Sequence, residues 1–443
     1  MPFSDKIFKA YDVRGIYPTD LNEEAAQAIG LAVANLANGG KVVVGRDMRL
    51  SSPSLHQALI DGILQGGASV DDIEMVSIDA MYFAVGKFNY DAGVMVTASH
   101  NPSEYNGFKI VTKGVKFVRG YEIEDLIKKN KKAATKGAFG QRDVWPDFIE
   151  HLLSFVDKNS FKPLKVVIDA GNGMAGLVIP RLFGGLPFQL SPLFFELDGS
   201  FPNHPSNPLI AGATDALSEK VKEQKADLGI IFDGDTDRVF LVDDEGKFVP
   251  ADVTLLLLAK EFLQREPAAA IVYNLICSKA VPEFVKKWGG QPVRTAVGYV
   301  NVRQGLIENQ AVMGGELSAH YSFRDNYYAD SGFIAALLIL ELLSRENKKL
   351  SELVAEFSPY AKAPEFNLEV RDKDKVLELI KTTYADAKID ELDGVTVSYK
   401  DWWCNVRPSN TEPLIRITVE ANTPELLQSK HAEVIKLIQK NNL

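Results

Sequence analysis

Three times in this chain, at intervals of roughly 100 residues, a strand-like stretch leads into a short loop crowded with polar, chemically capable side chains, a period that points to a triplicated α/β scaffold. The apolar run Ala92–Val96 stops at Thr97-Ala98-Ser99-His100-Asn101-Pro102, and Ala226–Phe232 runs straight into Asp233-Gly234-Asp235-Thr236-Asp237-Arg238. The third loop is Gly314-Gly315-Glu316-Leu317-Ser318-Ala319-His320. Uninterrupted apolar strands fit a sheet covered on both faces, and polar residues at their ends can project into a crevice.

The remaining pattern supports α/β rhythm. Glu23–Ala37 and Ser54–Gln65 have helical period, with a short strand at Lys41–Val44 between them and another at Gly107–Val111. A second unit opens with the strand Leu164–Asp169 and the glycine-rich AGNGMAG, and carries a hairpin around Asp244-Glu245-Gly246, within Val239–Val249. A third unit has a helix at Asp252–Gln264, a strand at Ala270–Asn274, a helix ending at Trp288, a strand and turn around Arg294–Gly298, and a long helix starting beside GGELSAH. The run Phe333–Leu343, broken only by Glu341, reads as a buried helix. SPYAKAPEFNLEV reads as a connector to a smaller last unit. At 443 residues, three or four cores are expected. The expected divisions are 1–150, 151–252, 253–362 and 363–443.

Composition restricts the partners. With 46% hydrophobic and 24% charged residues the chain reads as globular, and a net charge of -10 argues against a broad grip on nucleic acid. Cys277 and Cys404 form no CxxC pair, so neither a disulfide framework nor a cysteine zinc site is expected, and a reducing cytoplasm fits best. The start MPFSDKIFKAYDVRG lacks the apolar run of a signal peptide, and no stretch is long enough for a membrane span.

Each loop has a chemistry to offer. Ser99 could receive a phosphoryl group if held in line with its charge stabilised, with His100 beside it and Lys109 a short strand away. Asp233, Asp235 and Asp237 alternate around a glycine, a set of hard oxygen ligands suited to magnesium. An EF-hand is excluded, because the twelfth position from Asp233 is Asp244. Glu316, Ser318 and His320 alternate onto one face, suiting sugar hydroxyls. Arg407-Pro408-Ser409-Asn410-Thr411-Glu412-Pro413, read as a loop before the strand Leu414–Val419, could hold phosphate oxygens. Tyr11-Asp12-Val13-Arg14-Gly15 and Gly45-Arg46-Asp47-Met48-Arg49 place arginines where an anionic ligand would be welcome. Taken singly, turns, caps and surface ion pairs would explain most of these segments.

Taken in order, YDVRG, TASHNP, DGDTDR, GGELSAH and RPSNTEP closely resemble the α-D-phosphohexomutase family over nearly the whole chain. The resemblance implies three similar mixed α/β domains and a smaller C-terminal α+β domain, TATA-binding-protein-like, around a central cleft. It implies a phosphoserine at Ser99, Mg2+ held by Ser99, Asp233, Asp235 and Asp237, and a general acid or base at Lys109 with Arg14 and His100 beside it. Glu316 and Ser318 match the sugar loop, and Arg407, Ser409, Asn410 and Thr411 match the distal phosphate site. Tyr11, Arg238, Gly298, Tyr299 and His320 are further expected substrate contacts.

The implied reaction exchanges phosphate between serine and sugar through a hexose 1,6-bisphosphate, in a monomer or homodimer with small hexose phosphates as its only partners. GGELSAHYSFRD is more similar to the phosphomannomutase and dual phosphomannomutase/phosphoglucomutase loops than to the GEQSGH of phosphoglucosamine mutases. Mannose phosphates are therefore the expected substrates, with glucose phosphates, or glucosamine phosphates, as the alternatives. Two departures stand out: Gly298-Tyr299 where dual enzymes often have Gly-His, and Thr236 where the family commonly has glycine or alanine. A silent sugar-phosphate sensor and an aspartate-nucleophile phosphatase are the rival readings.

Overall fold

The computed structural model describes residues 4–129, 132–409 and 414–440. Its strands gather into four sheets, and the first three repeat one plan. In the first, Val13–Ile16, Tyr105–Thr112, Ala92–Val96, Lys41–Arg46, Ser69–Met75 and Phe139–Gln141 lie side by side, with Lys116–Val118 added to Tyr105–Thr112. The second runs Phe248–Val249, Val239–Val242, Leu228–Phe232, Lys165–Asp169, Gln189–Leu193, and the third Gln291–Thr295, Ala270–Asn274, Met313–Gly315, Tyr321–Phe323, Ala329–Asp330.

The repeat explains where the polar loops come from. Ala92–Val96 is parallel to one neighbour and antiparallel to Tyr105–Thr112, and Leu228–Phe232 and Met313–Gly315 stand in the same relation to Val239–Val242 and Tyr321–Phe323. In all three sheets the chemically loaded loop is thus the turn from a parallel strand into its antiparallel neighbour. Such a turn lies beyond the carboxyl end of a parallel strand, where α/β proteins place their ligands.

The central strands are buried along their whole length, as their apolar runs demand. Helix Gly332–Arg345 is buried at every residue but Arg345, because it packs inside the molecule; Ser331 caps it by accepting from the Ile334 N–H. It does not start beside GGELSAH: two short strands, Tyr321–Phe323 and Ala329–Asp330, intervene.

The last sheet, six strands with Leu414–Ala421 at its middle, has its own core of Val376, Ile380, Val397, Cys404, Val406, Ile417 and Ile438 among others. A single cluster, by contrast, extends through the first three sheets from Val43 to Phe357. SPYAKAPEFNLEV is more than a connector, since Ala361–Lys362 and Phe366–Glu369 both pair with Leu414–Ala421. Its prolines, Pro359 and Pro364, fall outside both pairings, so no ladder N–H is lost.

Leu338→Ala, in the middle of the buried helix, is expected to cost about 2–5 kcal/mol, whereas Leu209→Ala, on an exposed loop, should stay within about 0.5 kcal/mol. Urea denaturation midpoints of the two variants check this.

Candidate active site

Ser99 sits where the first and second sheets meet. Its φ is +49°, a left-handed conformation uncommon for a residue with a side chain, and its N–H donates to Thr97 Oγ1 at 3.0 Å. That bend turns the hydroxyl towards Asp233 Oδ2, 2.9 Å away, with His100 Nδ1 at 3.2 Å.

Arg49 holds the bend. Its guanidinium donates to the carbonyls of Ser99 at 2.8 Å, Asn101 at 2.6 Å, Pro102 at 2.7 Å and Tyr105 at 2.9 Å, with Asp47 against Nε at 3.3 Å. Arg49 was expected to face an anionic ligand. It is instead fully buried and builds the serine loop, a role that needs the fork geometry of arginine. The GRDMR segment flagged it, but backbone carbonyls as partners leave no mark in a sequence.

The acidic turn carries three buried carboxylates whose oxygens lie within 4.8 Å of one another. Lys109, on the strand after the serine loop, reaches into it and donates to Asp235 Oδ2 at 2.8 Å and Asp237 Oδ2 at 2.6 Å. Arg238 Nε donates to Asp233 Oδ2 at 2.9 Å, and Thr97 Oγ1 to Asp235 Oδ2 at 3.2 Å. From the third sheet His320 Nε2 lies 3.5 Å from Asp237 Oδ1. Backbones join as well: Arg238 and His320 form an isolated antiparallel bridge.

Glu316, Ser318 and His320 do converge, but not by strand alternation. Ala319 adopts φ +64° in a tight turn, so that Ser318 Oγ lies 2.9 Å from His320 Nδ1 and 3.4 Å from Glu316 Oε2. The other oxygen, Glu316 Oε1, accepts from the Gly298 N–H at 2.9 Å and Asn274 Nδ2 at 3.2 Å. Asn274 was missed, being the last residue of an apolar strand. Tyr299 donates to the Tyr11 carbonyl at 3.2 Å with the rings 5.5 Å apart, closing the first sheet's end against the third. Arg14 bridges Asn101 Oδ1 and Asp12 Oδ2, each at 2.5 Å.

Arg407 lies in the strand Trp402–Pro408, not in a loop, directly across from Arg416. Two opposed arginines repel unless an anion joins them, and Glu365 does so at 2.6 and 3.4 Å. Arg407 Nη1 and Arg416 Nε remain buried without a hydrogen-bond partner among the described residues. Arg416 escaped the sequence reading because its pairing is cross-strand. The Ser409 N–H donates to the Leu414 carbonyl at 2.9 Å, while Asn410 and Thr411 lie outside the described residues. Asp393 ties this last sheet to the cleft by accepting from the Val297 N–H at 3.1 Å.

Burial and neighbours push the titrating groups apart. Burial depresses the His100 imidazole, and Arg238 and Arg14 depress it further, well below its usual range, so it is neutral. Burial also opposes the charge on Lys109, but Asp235 and Asp237 outweigh it and hold the ammonium well above its ordinary value. For His320 burial is likewise outweighed, chiefly by Asp237, and the ring is pushed up to about 9. Burial raises Asp233, against Arg238, to about 6. Separated values of this kind mark acid and base roles.

The acidic turn fits a hard divalent cation. Three carboxylates converge, and Asp235 Oδ1 is buried with no hydrogen-bond partner among the described residues, an oxygen whose lone pairs ask for a positive group. No helix among the described residues is long and apolar enough to cross a membrane.

Comparisons with known proteins agree with this arrangement. Phosphoglucomutase/phosphomannomutase family models match the chain in four consecutive segments: alpha/beta/alpha domain I over residues 5–134, domain II over 146–246, domain III over 250–360 and the C-terminal domain over 365–437. A phosphomannomutase of Escherichia coli is 38% identical over 450 residues, covering 98% of this chain and 99% of the relative. A phosphomannomutase/phosphoglucomutase of Pseudomonas aeruginosa is 36% identical, covering 99% and 95%. The crystal structure of a phosphoglucomutase/phosphomannomutase family protein from Burkholderia thailandensis superposes with a TM-score of 0.90 at 32% identity, over 100% of this chain and 99% of that one.

Protons and a divalent cation compete for the same carboxylates. Magnesium affinity, titrated calorimetrically from pH 5 to 8, is expected to be level above about pH 7 and to fall as pH drops through the value of about 6 held by Asp233. Arg49→Met leaves Asp47 buried without its cation and four carbonyls without their donor; a loss of about 3–5 kcal/mol in urea denaturation is expected.

Proposed function

The chain belongs to the phosphoglucomutase/phosphomannomutase family and is an isomerase of the phosphohexomutase type, and from that premise we propose that it interconverts mannose 6-phosphate and mannose 1-phosphate, and glucose phosphates as well, through a phosphoserine at Ser99. The observation that carries this reading is the 2.9 Å approach of Ser99 Oγ to Asp233, at the point where three polar loops meet. The proposed units are 1–150, 151–252, 253–362 and 363–443, working in the cytoplasm as a monomer or homodimer.

In the first half-reaction a hydroxyl oxygen of the hexose phosphate attacks the phosphorus on Ser99. The bond from phosphorus to Ser99 Oγ breaks as the new bond to the sugar forms, the sugar hydroxyl releases its proton, and the serine oxygen takes one up. The product is a hexose 1,6-bisphosphate, which turns end for end in the cleft. In the second half Ser99 attacks the other phosphate and releases the isomerised monophosphate, so the enzyme returns to its starting state.

Neutral His100, 3.2 Å from Ser99 Oγ, is placed to take the serine proton as it attacks and to return it. Lys109, held charged, serves as proton donor and as positive charge beside the transferring group, with Arg14 and Arg238 adding to that charge. Bound by Ser99, Asp233, Asp235 and Asp237, Mg2+ would supply further positive charge against the phosphoryl oxygens. Glu316, with Oε1 already engaged, offers Oε2 to the sugar hydroxyls beside Ser318, and charged His320 stands next to them. Tyr11, Gly298 and Tyr299 wall the sugar space. Arg407, Ser409, Asn410 and Thr411 take the phosphate at the far end.

The phosphatase alternative asks for a free carboxylate nucleophile, and Asp233, the aspartate nearest Ser99, is not one: Oδ1 is engaged by the N–H groups of Thr236 and Arg238, Oδ2 by Ser99 and the Arg238 side chain.

A coupled assay of mannose, glucose, glucosamine and N-acetylglucosamine phosphates, with magnesium and catalytic hexose bisphosphate, is expected to rank mannose and glucose phosphates first. Ser99→Ala should lower turnover by about a thousandfold or more. A wide margin for glucosamine 1-phosphate would refute the substrate assignment, and full activity of Ser99→Ala with net phosphate release would refute the mechanism.

A further inference from the structure

Thr236, in the middle of the acidic turn, has a backbone that a threonine should avoid. Its φ is +77°, strained for a β-branched side chain and free of strain only for glycine. Its backbone has work to do there: the N–H donates to Asp233 Oδ1 at 3.1 Å, and the carbonyl accepts from the Gly332 N–H, at the start of the long buried helix, at 3.2 Å. A glycine would do both. What threonine adds is its hydroxyl, which lies in hydrogen-bond contact with both Asp79 Oδ1, at 2.8 Å, and the Asp235 carbonyl.

Asp79 is the more unusual member. It lies in the first turn of the helix Ile78–Phe88, belongs to the first sheet's domain, and is 1% exposed. Among the described residues no lysine, arginine or histidine forms an ion pair with it, and Oδ2 has no hydrogen-bond partner. The adjacent Ile78 N–H donates to the Asp235 carbonyl at 3.3 Å, so two consecutive residues of this helix grip the acidic turn, one by backbone and one by side chain. Burying a carboxyl in this setting is unfavourable unless a contact it makes is needed. The Asp79 carboxyl is supported by the side chain of Ser331, which caps the long buried helix, and by Thr236, the residue between Asp235 and Asp237.

We propose that Asp79 is a positioning residue for the metal site, acting through the Thr236 hydroxyl to hold Asp235 and Asp237 in the orientation in which they bind the cation. The pair couples the first and second domains at one buried hydrogen bond. This inference rests on the metal reading of the acidic turn.

The test is calorimetric titration of the full-length protein with magnesium chloride in the absence of sugar phosphate, alongside thermal midpoints. Thr236→Ala and Asp79→Ala should each weaken magnesium binding by about fivefold, the size of one buried neutral hydrogen bond. The double variant should be no weaker than either single one, because the two residues act through each other. Thr236→Ser and Asp79→Asn, which keep the donor and an acceptor, should bind within about twofold of wild type and serve if the alanine variants do not fold. Lowered midpoints with unchanged magnesium affinity, or losses that multiply in the double variant, would overturn the proposal. Failure of the wild type to bind magnesium would overturn the metal reading and the latch with it, whereas binding by wild type with unaltered variants would overturn the latch alone.

Discussion

Three carboxylates confined within 4.8 Å in a buried turn repel one another strongly, and much of the molecule is arranged to make that tolerable. The compensating charges come from different places in the chain: Arg238 from the turn itself, Lys109 from the first sheet's strand Tyr105–Thr112, His320 from the third sheet's loop. Removing any one leaves buried charge uncompensated. The acidic turn therefore acts as a hub through which the first three domains are held in register, and its chemistry and its architecture cannot be separated.

The hydrophobic core has the same organisation. One apolar cluster extends through the first three sheets, giving the serine, metal and sugar loops a common rigid base. The fourth sheet keeps a core of its own and meets the others through polar links such as Asp393 to Val297 and Arg294 to Asp390. Polar, modest interfaces of this kind permit relative motion where an apolar one would not. The proposed turning over of a bisphosphate between half-reactions would be served by such a division, with the proposed chemistry on three domains and the proposed phosphate grip on a fourth that can move.

Much of this was legible in the sequence wherever a local signal sufficed. Ala92–Val96 and Ala270–Asn274 are strands with the expected bounds, because a short apolar run with polar ends has few other ways to be satisfied. The polar loops declared themselves by content. What stayed hidden was set by contacts distant in the chain: Arg49 among four carbonyls, Arg416 opposite Arg407, Asn274 behind Glu316. Thr236 shows the limit from another side. The sequence marks threonine there as a departure, but not the left-handed conformation that the turn imposes on it, which only the backbone reveals. The connector and the start of the long helix were misjudged for a related reason, since strands of two to four residues carry almost no periodicity.

The account stands on Ser99 as the carrier of the phosphoryl group, and site mapping tests it most directly. After incubation of the full-length protein with magnesium and glucose 1,6-bisphosphate, mass spectrometry of its peptides should find one phosphoryl group, on Ser99, that disappears on addition of a hexose monophosphate substrate. A phosphoryl group on Asp233, or steady turnover with Ser99 never modified, would contradict it.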